Sequence, residues 1–155
     1  MAIQMPPESS TSMITLATAE TFRGAGQRLR AEEQPRFFAS YFEGMDALSH
    51  MFMPFSPPKM PHVSDADYDR WKQVMESNYV WHDTVLGEYL AAADRDPGTT
   101  LFVVSDHGFK SGDFRRRDSS NFHAKTGAMW HRPFGVFYAW GDGVKAGARV
   151  TPAST

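Results

Sequence analysis

The sequence predicts an α/β domain, a mostly parallel sheet flanked by helices, and three observations carry that prediction. The aromatic run Phe37-Phe38-Ala39-Ser40-Tyr41-Phe42 reads as a first buried strand ending at Gly44. The stretch from Asp65 to Ala93 reads as one long helix with Trp71, Val74, Met75, Asn78, His82, Val85, Leu86 and Tyr89 mostly on one face. The segment Thr99–Ser105, centred on Leu101-Phe102-Val103-Val104, is the clearest strand, and so continuous an apolar run suits a sheet covered on both faces. Strand, long helix and strand in that order make a βαβ unit.

The remaining elements follow in chain order. Residues 1–11, rich in Pro, Ser and Met, read as irregular. From Ser12 to Arg30 the content of Ala, Leu, Arg and Glu predicts a helix with Ile14, Ala17, Phe22, Ala25 and Leu29 as its apolar stripe, weakened by Gly24 and Gly26. Gln34–Pro35 ends it. Met51–Pro61 carries four prolines and reads as a loop. Ser64, with Asp65 and Asp67 behind it, supplies a capping hydroxyl and first-turn acids for the long helix, and Asp96-Pro97-Gly98 supplies its stop. Residues 108–130 form a long loop of no clear period, a candidate lid at a site. Phe134–Trp140 reads as a last strand closed by Gly141-Asp142-Gly143.

Composition narrows the functions. The chain has 155 residues, 41% of them hydrophobic and 22% charged, which fits one globular domain rather than a disordered chain. Its formal charge is −2, so no global basic field draws it to nucleic acid or anionic lipid. The aromatic residues lack a basic groove, so no nucleic-acid stacking platform is expected. There is no cysteine, which excludes disulfides, thiolate metal sites and cysteine nucleophiles while leaving the compartment open. No apolar run approaches the ~18 residues of a membrane-spanning helix. Met1–Ser10 lacks the pattern of a secretory signal.

Three features point to metal chemistry. Asp46 and His50 are four residues apart, so one helical turn puts a carboxylate and an imidazole on the same face. Alone, that spacing is more often a surface pair. Asp106 and His107 stand in Ser105-Asp106-His107-Gly108 at the carboxyl end of a strand, where ligand sites gather in open α/β sheets. Burying Asp106 uncompensated beside so apolar a strand would be expensive. The neighbouring Ser105 suggests a Ser-His-Asp set, but contiguous residues in an extended chain point to alternating faces. His131 precedes the last strand in Met129-Trp130-His131-Arg132-Pro133, and only the combination raises it above a packed histidine.

Together these segments resemble the alkaline phosphatase superfamily, specifically its type I phosphodiesterase/nucleotide pyrophosphatase-like branch. The resemblance rests on Tyr41–His50, on Val103–Phe109, and on His131-Arg132-Pro133-Phe134-Gly135 running into Trp140–Lys145, in matching order across 37–149. Tyr79 and Asp83 resemble the family's helix between the ligand segments. The resemblance implies an alkaline-phosphatase-like fold and two divalent metal ions, zinc in this family. Asp46, His50 and His131 would hold one, and Asp106 and His107 would help to hold the other. Two ions ~4 Å apart clamp the attacking and leaving oxygens of an in-line displacement at phosphorus. The implied activity is hydrolysis of a small-molecule phosphate ester. A sulfatase or phosphomutase of the same superfamily, or a non-catalytic α/β metal-binding or interaction fragment, remain as alternatives.

The family's second site also uses an Asp near the start of the catalytic domain and a downstream Thr or Ser nucleophile. Neither is identifiable, since Ser9-Ser10-Thr11-Ser12 lies in the irregular segment. The chain is therefore expected to be a single partial catalytic domain, trimmed at both ends and inactive alone. Asp46 and Asp106 follow their strands whereas His131 precedes its own, so convergence at one edge requires the 134–140 strand to run antiparallel. Bland readings suit the rest: His82 packs on the long helix, His62 is exposed, His123 is unassigned, and Arg115-Arg116-Arg117 is a solvated charge run. Met51, Phe52, Met53, Phe55 and Met60 line an apolar wall near His50 or pack the Pro-rich loop.

Overall fold

The computed structural model describes residues 10–116 and 127–149. Helix α1 spans Ser10–Glu33, longer at both ends than predicted. It stops where Gln34 takes φ 45°, a left-handed terminator, before Pro35. The apolar stripe expected on α1 is not its buried face: Ile14, Phe22 and Leu29 are exposed, and Ala19 and Gly26 are the buried positions. Small side chains let α1 approach closely. A Cβ on Gly44, at the start of the next helix, would sit 3.7 Å from Thr15 and 3.9 Å from Ala19. Polar bonds complete the dock. Arg23 donates through Nε to Glu88 at 2.9 Å and pairs through Nη2 with its other oxygen, Gln27 donates to Glu88 at 2.5 Å, and Trp81 donates to Glu20 at 2.5 Å.

The expected first strand does not form. Residues 37–43 run as irregular chain with Phe37 and Tyr41 exposed. A strand needs a ladder partner. Here alternate rings turn onto a helix instead, Phe38 against Tyr89 at 6.2 Å and Phe42 edge-on to Trp81 at 5.8 Å. With that strand goes the βαβ unit, and no parallel ladder forms among the described residues.

Helix α2 spans Gly44–Phe52, and the chain continues as a 3-10 turn over Met53–Phe55. The predicted loop is thus the centre of the core: Leu48, Met51, Phe52, Met53 and Phe55 are each 3% exposed or less. Pro54 stands second in the 3-10 turn, where its missing N–H has no intrahelical acceptor to lose. Ser64 caps α3, Asp65–Trp71, by accepting from the Asp67 amide at 3.0 Å, as its sequence predicts. The long helix is broken at Lys72–Gln73, and α4 runs Val74–Ala93. Short α3 brings Trp71 against Phe52, ring centres 5.3 Å apart, closing one side of the core.

Strand β1, Thr100–Val104, pairs antiparallel with β4, Phe137–Gly141, in the register Phe102↔Ala139. The antiparallel direction is the one that convergence of the ligands required. The strand is not covered on both faces, because Phe102 and Val104 stay exposed while Leu101 and Val103 are partly buried. Between these strands the loop region holds a small ladder of β2, Gly108–Phe109, with β3, His131–Arg132, and 3-10 turns at Gly112–Phe114 and Gly127–Trp130. No helix among the described residues is long and apolar enough to cross a membrane.

Candidate metal centre

Helix α2 places two of the five predicted ligands. Asp46 lies in its first turn and His50 in its last, the arrangement the helix dipole favours for an acid and a base. Nε2 of His50 stands 3.5 Å from Asp46 Oδ2. The ladder of β2 with β3 delivers His131, whose Nε2 is 3.4 Å from Asp46 Oδ1 and 3.0 Å from Nε2 of His50. Residues 46 and 131 are thus brought together across most of the chain. The three can offer one donor atom each, all within 4.8 Å of one another.

These spacings suit a cation. Tetrahedral zinc with bonds of ~2.0–2.1 Å sets neighbouring donor atoms about 3.3 Å apart. The 3.0 Å between the two Nε2 atoms and the 3.4 Å from His131 to Asp46 Oδ1 lie near that value, while His50 faces the other carboxylate oxygen, Oδ2, at 3.5 Å. Asp46 Oδ1 is buried and receives no hydrogen bond. Two Nε2 atoms facing each other can share at most one proton in the absence of an ion, whereas both lone pairs can point at a metal.

His107 joins the group from the turn after β1. Its ring stacks on His131 at 3.6 Å and 13°, and its Nε2 lies 3.8 Å from Asp46 Oδ1. Nδ1 of His107 faces the Gly108 carbonyl at 3.1 Å, and a carbonyl only accepts, so Nδ1 donates there and Nε2 is the nitrogen on the Asp46 side. Asp106 sits at the rim with its side chain 87% exposed, 3.8 Å from Nε2 of His107. The expense of burying it is thereby avoided, and it stands beside the trio rather than within it.

Electrostatics follow the same layout. Burial opposes ionisation of Asp46, but a hydrogen bond from His50 and the charges of His50, His131 and His107 outweigh it and hold the carboxyl below its ordinary range. Burial lowers the pKa of His131, and the neighbouring His107 lowers it further, so this imidazole favours the neutral form that ligates metals.

Two supporting residues escaped the sequence reading. Phe109 meets His50 edge-on at 4.9 Å and stacks on Trp130 at 5.8 Å, and Trp130 is fully buried. Their only sequence signal is adjacency to predicted ligands. Arg115 was read within a solvated run, yet it is 6% exposed and donates to the carbonyls of Gly112, Met53, Ser56 and Pro58. It ties the 3-10 turn after α2 to the segment after β2. His82 packs as expected, half-buried beside Trp81 and Phe42, while His62 is exposed. His123 and Arg117 lie outside the described residues. Met51, Phe52, Met53 and Phe55 pack the core rather than a substrate wall.

A family model for type I phosphodiesterase / nucleotide pyrophosphatase matches residues 5–151. The chain belongs to that family. Comparisons with curated proteins and with solved structures found no match. Membership in the type I phosphodiesterase / nucleotide pyrophosphatase family agrees with the superfamily resemblance drawn from residues 37–149, and the match extends over α1 as well. It makes phosphoester chemistry the family context in which the Asp46, His50 and His131 group is to be read.

Proposed function

We propose that this chain provides the metal cage for hydrolysis of a small-molecule phosphate ester, of the phosphodiester or nucleotide pyrophosphate type. Asp46, His50 and His131 hold one divalent ion, zinc, and Asp106 and His107 contribute to a second. The observation that carries this reading is the convergence of Asp46, His50 and His131 within 4.8 Å in a chain of this family. Three protein donors leave a coordination position open, as in catalytic rather than structural zinc sites. Bound ions supply positive charge opposite the phosphoryl oxygens as negative charge builds there.

The chain's own residues do the rest. Asp46 contributes the negative charge that offsets part of the cation's, and its depressed pKa keeps it ionised at neutral pH. His50, 8% exposed, is gripped by the core and fixes the direction of its donor. His131 answers from the opposite element. Exposed Asp106 leaves the second ligand set open to solvent, and therefore to substrate. The Ser105 hydroxyl donates to the His107 carbonyl at 2.6 Å, so it is not poised to attack phosphorus. The attacking hydroxyl is left unassigned.

Zinc titration of the metal-free chain tests the proposal. Uptake should be tight, and Asp46→Ala or His131→Ala should weaken the first equivalent by more than ~100-fold, removal of a direct ligand costing more than the 10–100-fold of an outer partner. The zinc-loaded chain should bind inorganic phosphate, and the metal-free chain should not. Absence of zinc uptake by the folded chain, or uptake indifferent to both substitutions, overturns the reading.

A further inference from the structure

The turn between β1 and β2 is held in an unusual way. The chain leaves β1 at Val104 and enters β2 at Gly108, so three residues, Ser105 to His107, bend it from the β1–β4 ladder into the β2–β3 ladder. Ser105 extends the β1–β4 ladder by donating its amide to the Val136 carbonyl at 2.9 Å. Its hydroxyl then crosses the turn to the His107 carbonyl at 2.6 Å, while the His107 amide donates to Asp106 Oδ1 at 3.0 Å. Both backbone polar groups of His107 are thus fixed from within the turn.

The opposite side is backed by glycine. A Cβ on Gly135 would lie 1.8 Å from the Ser105 carbonyl oxygen and 3.0 Å from the His107 amide. A Cβ on Gly108 would lie 2.8 Å from the Phe134 carbonyl oxygen. Two bare backbones therefore touch at two points, and no side chain fits between them. This contact sits between Asp106–His107 and the strand that follows His131, and the His107 ring lies flat on His131 at 3.6 Å.

We infer that Ser105 is a positioning residue: its hydroxyl, with Gly135 pressed against its carbonyl, pins the Asp106–His107 turn onto His131 and sets the distance between the two ligand groups. The inference rests on the metal-centre reading above for its consequence, though not for its geometry. A serine beside an Asp-His pair looks like a nucleophile in sequence. Its bond to His107 gives it a different task.

The test uses the whole chain with Ser105→Ala, Ser105→Thr and Gly135→Ala. In the metal-free protein, the His131 ring protons should be shifted upfield by the stacked His107 ring. Ser105→Ala and Gly135→Ala should each reduce that shift, because both hold the His107 backbone that carries the stacked ring. Ser105→Thr, which keeps the donor, should restore it. With zinc, Ser105→Ala should weaken the equivalent held by Asp106 and His107 ~10–100-fold and leave the Asp46–His50–His131 equivalent within ~2-fold. An unchanged ring-current shift in Ser105→Ala, or equal weakening of both equivalents, overturns the inference. If the wild-type chain takes up no zinc, the metal reading fails, yet the ring-current arm still decides the positioning role. Should Ser105→Ala not fold, Gly108→Ala must lose the same shift, since its methyl would displace the turn from the Phe134 side; retention of the shift overturns the inference.

Discussion

Two regions of this molecule are rich in apolar side chains and differ sharply in burial. Around α2, the 3-10 turn Met53–Phe55, α3 and the start of α4 converge with Trp130, and Phe52, Phe55 and Met51 are 1–2% exposed. In the β1–β4 ladder the register is regular, yet Phe102, Val104 and Phe137 remain 54–68% exposed on its open face. Hydrophobic composition therefore does not decide burial; the number of elements meeting at a point does. The candidate metal centre lies on the seam. Asp46 and His50 belong to the dense side, and His131 and His107 come from the ladder side, with Phe109 stacked on Trp130 tying one to the other. A site built this way inherits rigidity from one region and access from the other.

The sharpest test of that contrast is a matched pair of truncations. Phe52→Ala should cost ~3–5 kcal/mol, as expected when a large buried ring leaves a cavity. Phe102→Ala should cost well under ~1 kcal/mol, in line with surface changes. Urea unfolding of the two variants checks both, and equal losses would erase the contrast. A smaller effect is expected at Arg115. Arg115→Met keeps the aliphatic stem but strips donors from the carbonyls of Met53, Ser56 and Pro58, and should lower stability by ~2–3 kcal/mol, the scale of hydrogen bonds from a charged group. Zinc affinity should fall less than in any ligand variant, because Arg115 braces the turn after α2 rather than His50 itself.

What was legible in the sequence follows the same division. The grouping of Asp46, His50 and His131 was legible because metal chemistry needs particular side chains at particular spacings, and Asp46 with His50 obeys helical geometry alone. The antiparallel direction of β4 against β1 was legible because Asp106 follows its strand and His131 precedes its own, although the strand supposed before Asp46 does not form. The first strand was not, since Phe37–Phe42 has strand composition but its partner is a helix, and a ladder cannot be read from one member. The Met51–Phe55 core was obscured by Pro54 and the three prolines that follow, which mark turns whether the turn is exposed or buried. On α1 the largest apolar residues drew attention to the wrong face. Close helix packing there selected Ala19 and Gly26, whose small size gives no hydrophobic signal.

The gentlest perturbation addresses how α1 is held. Its large apolar residues face outward, so the Arg23–Glu88, Gln27–Glu88 and Trp81–Glu20 bonds contribute an unusual share of its contact with α4. The hydrogen bond from Trp81, and next that from Arg23, hold Glu20 below the ordinary glutamate range, and Arg23 chiefly does the same for Glu88. A carboxylate whose pKa is lowered on folding adds stability that is complete above its unfolded pKa, ~4.3, and is lost as pH falls through the folded value. Docking of α1 should therefore be insensitive to pH between ~7 and ~5 and weaken below ~4. The indole of Trp81 reports it, because its N–H loses an ionised acceptor when Glu20 is protonated. Trp81 fluorescence, taken as the difference from Trp81→Phe, should change in that acid range and should do so at neutral pH in Glu20→Gln. The exposure of these groups and screening by salt keep the stability change small, so 1 M salt should diminish it further. A transition centred near pH 6 instead would transfer the response to a histidine and detach it from the α1 contact.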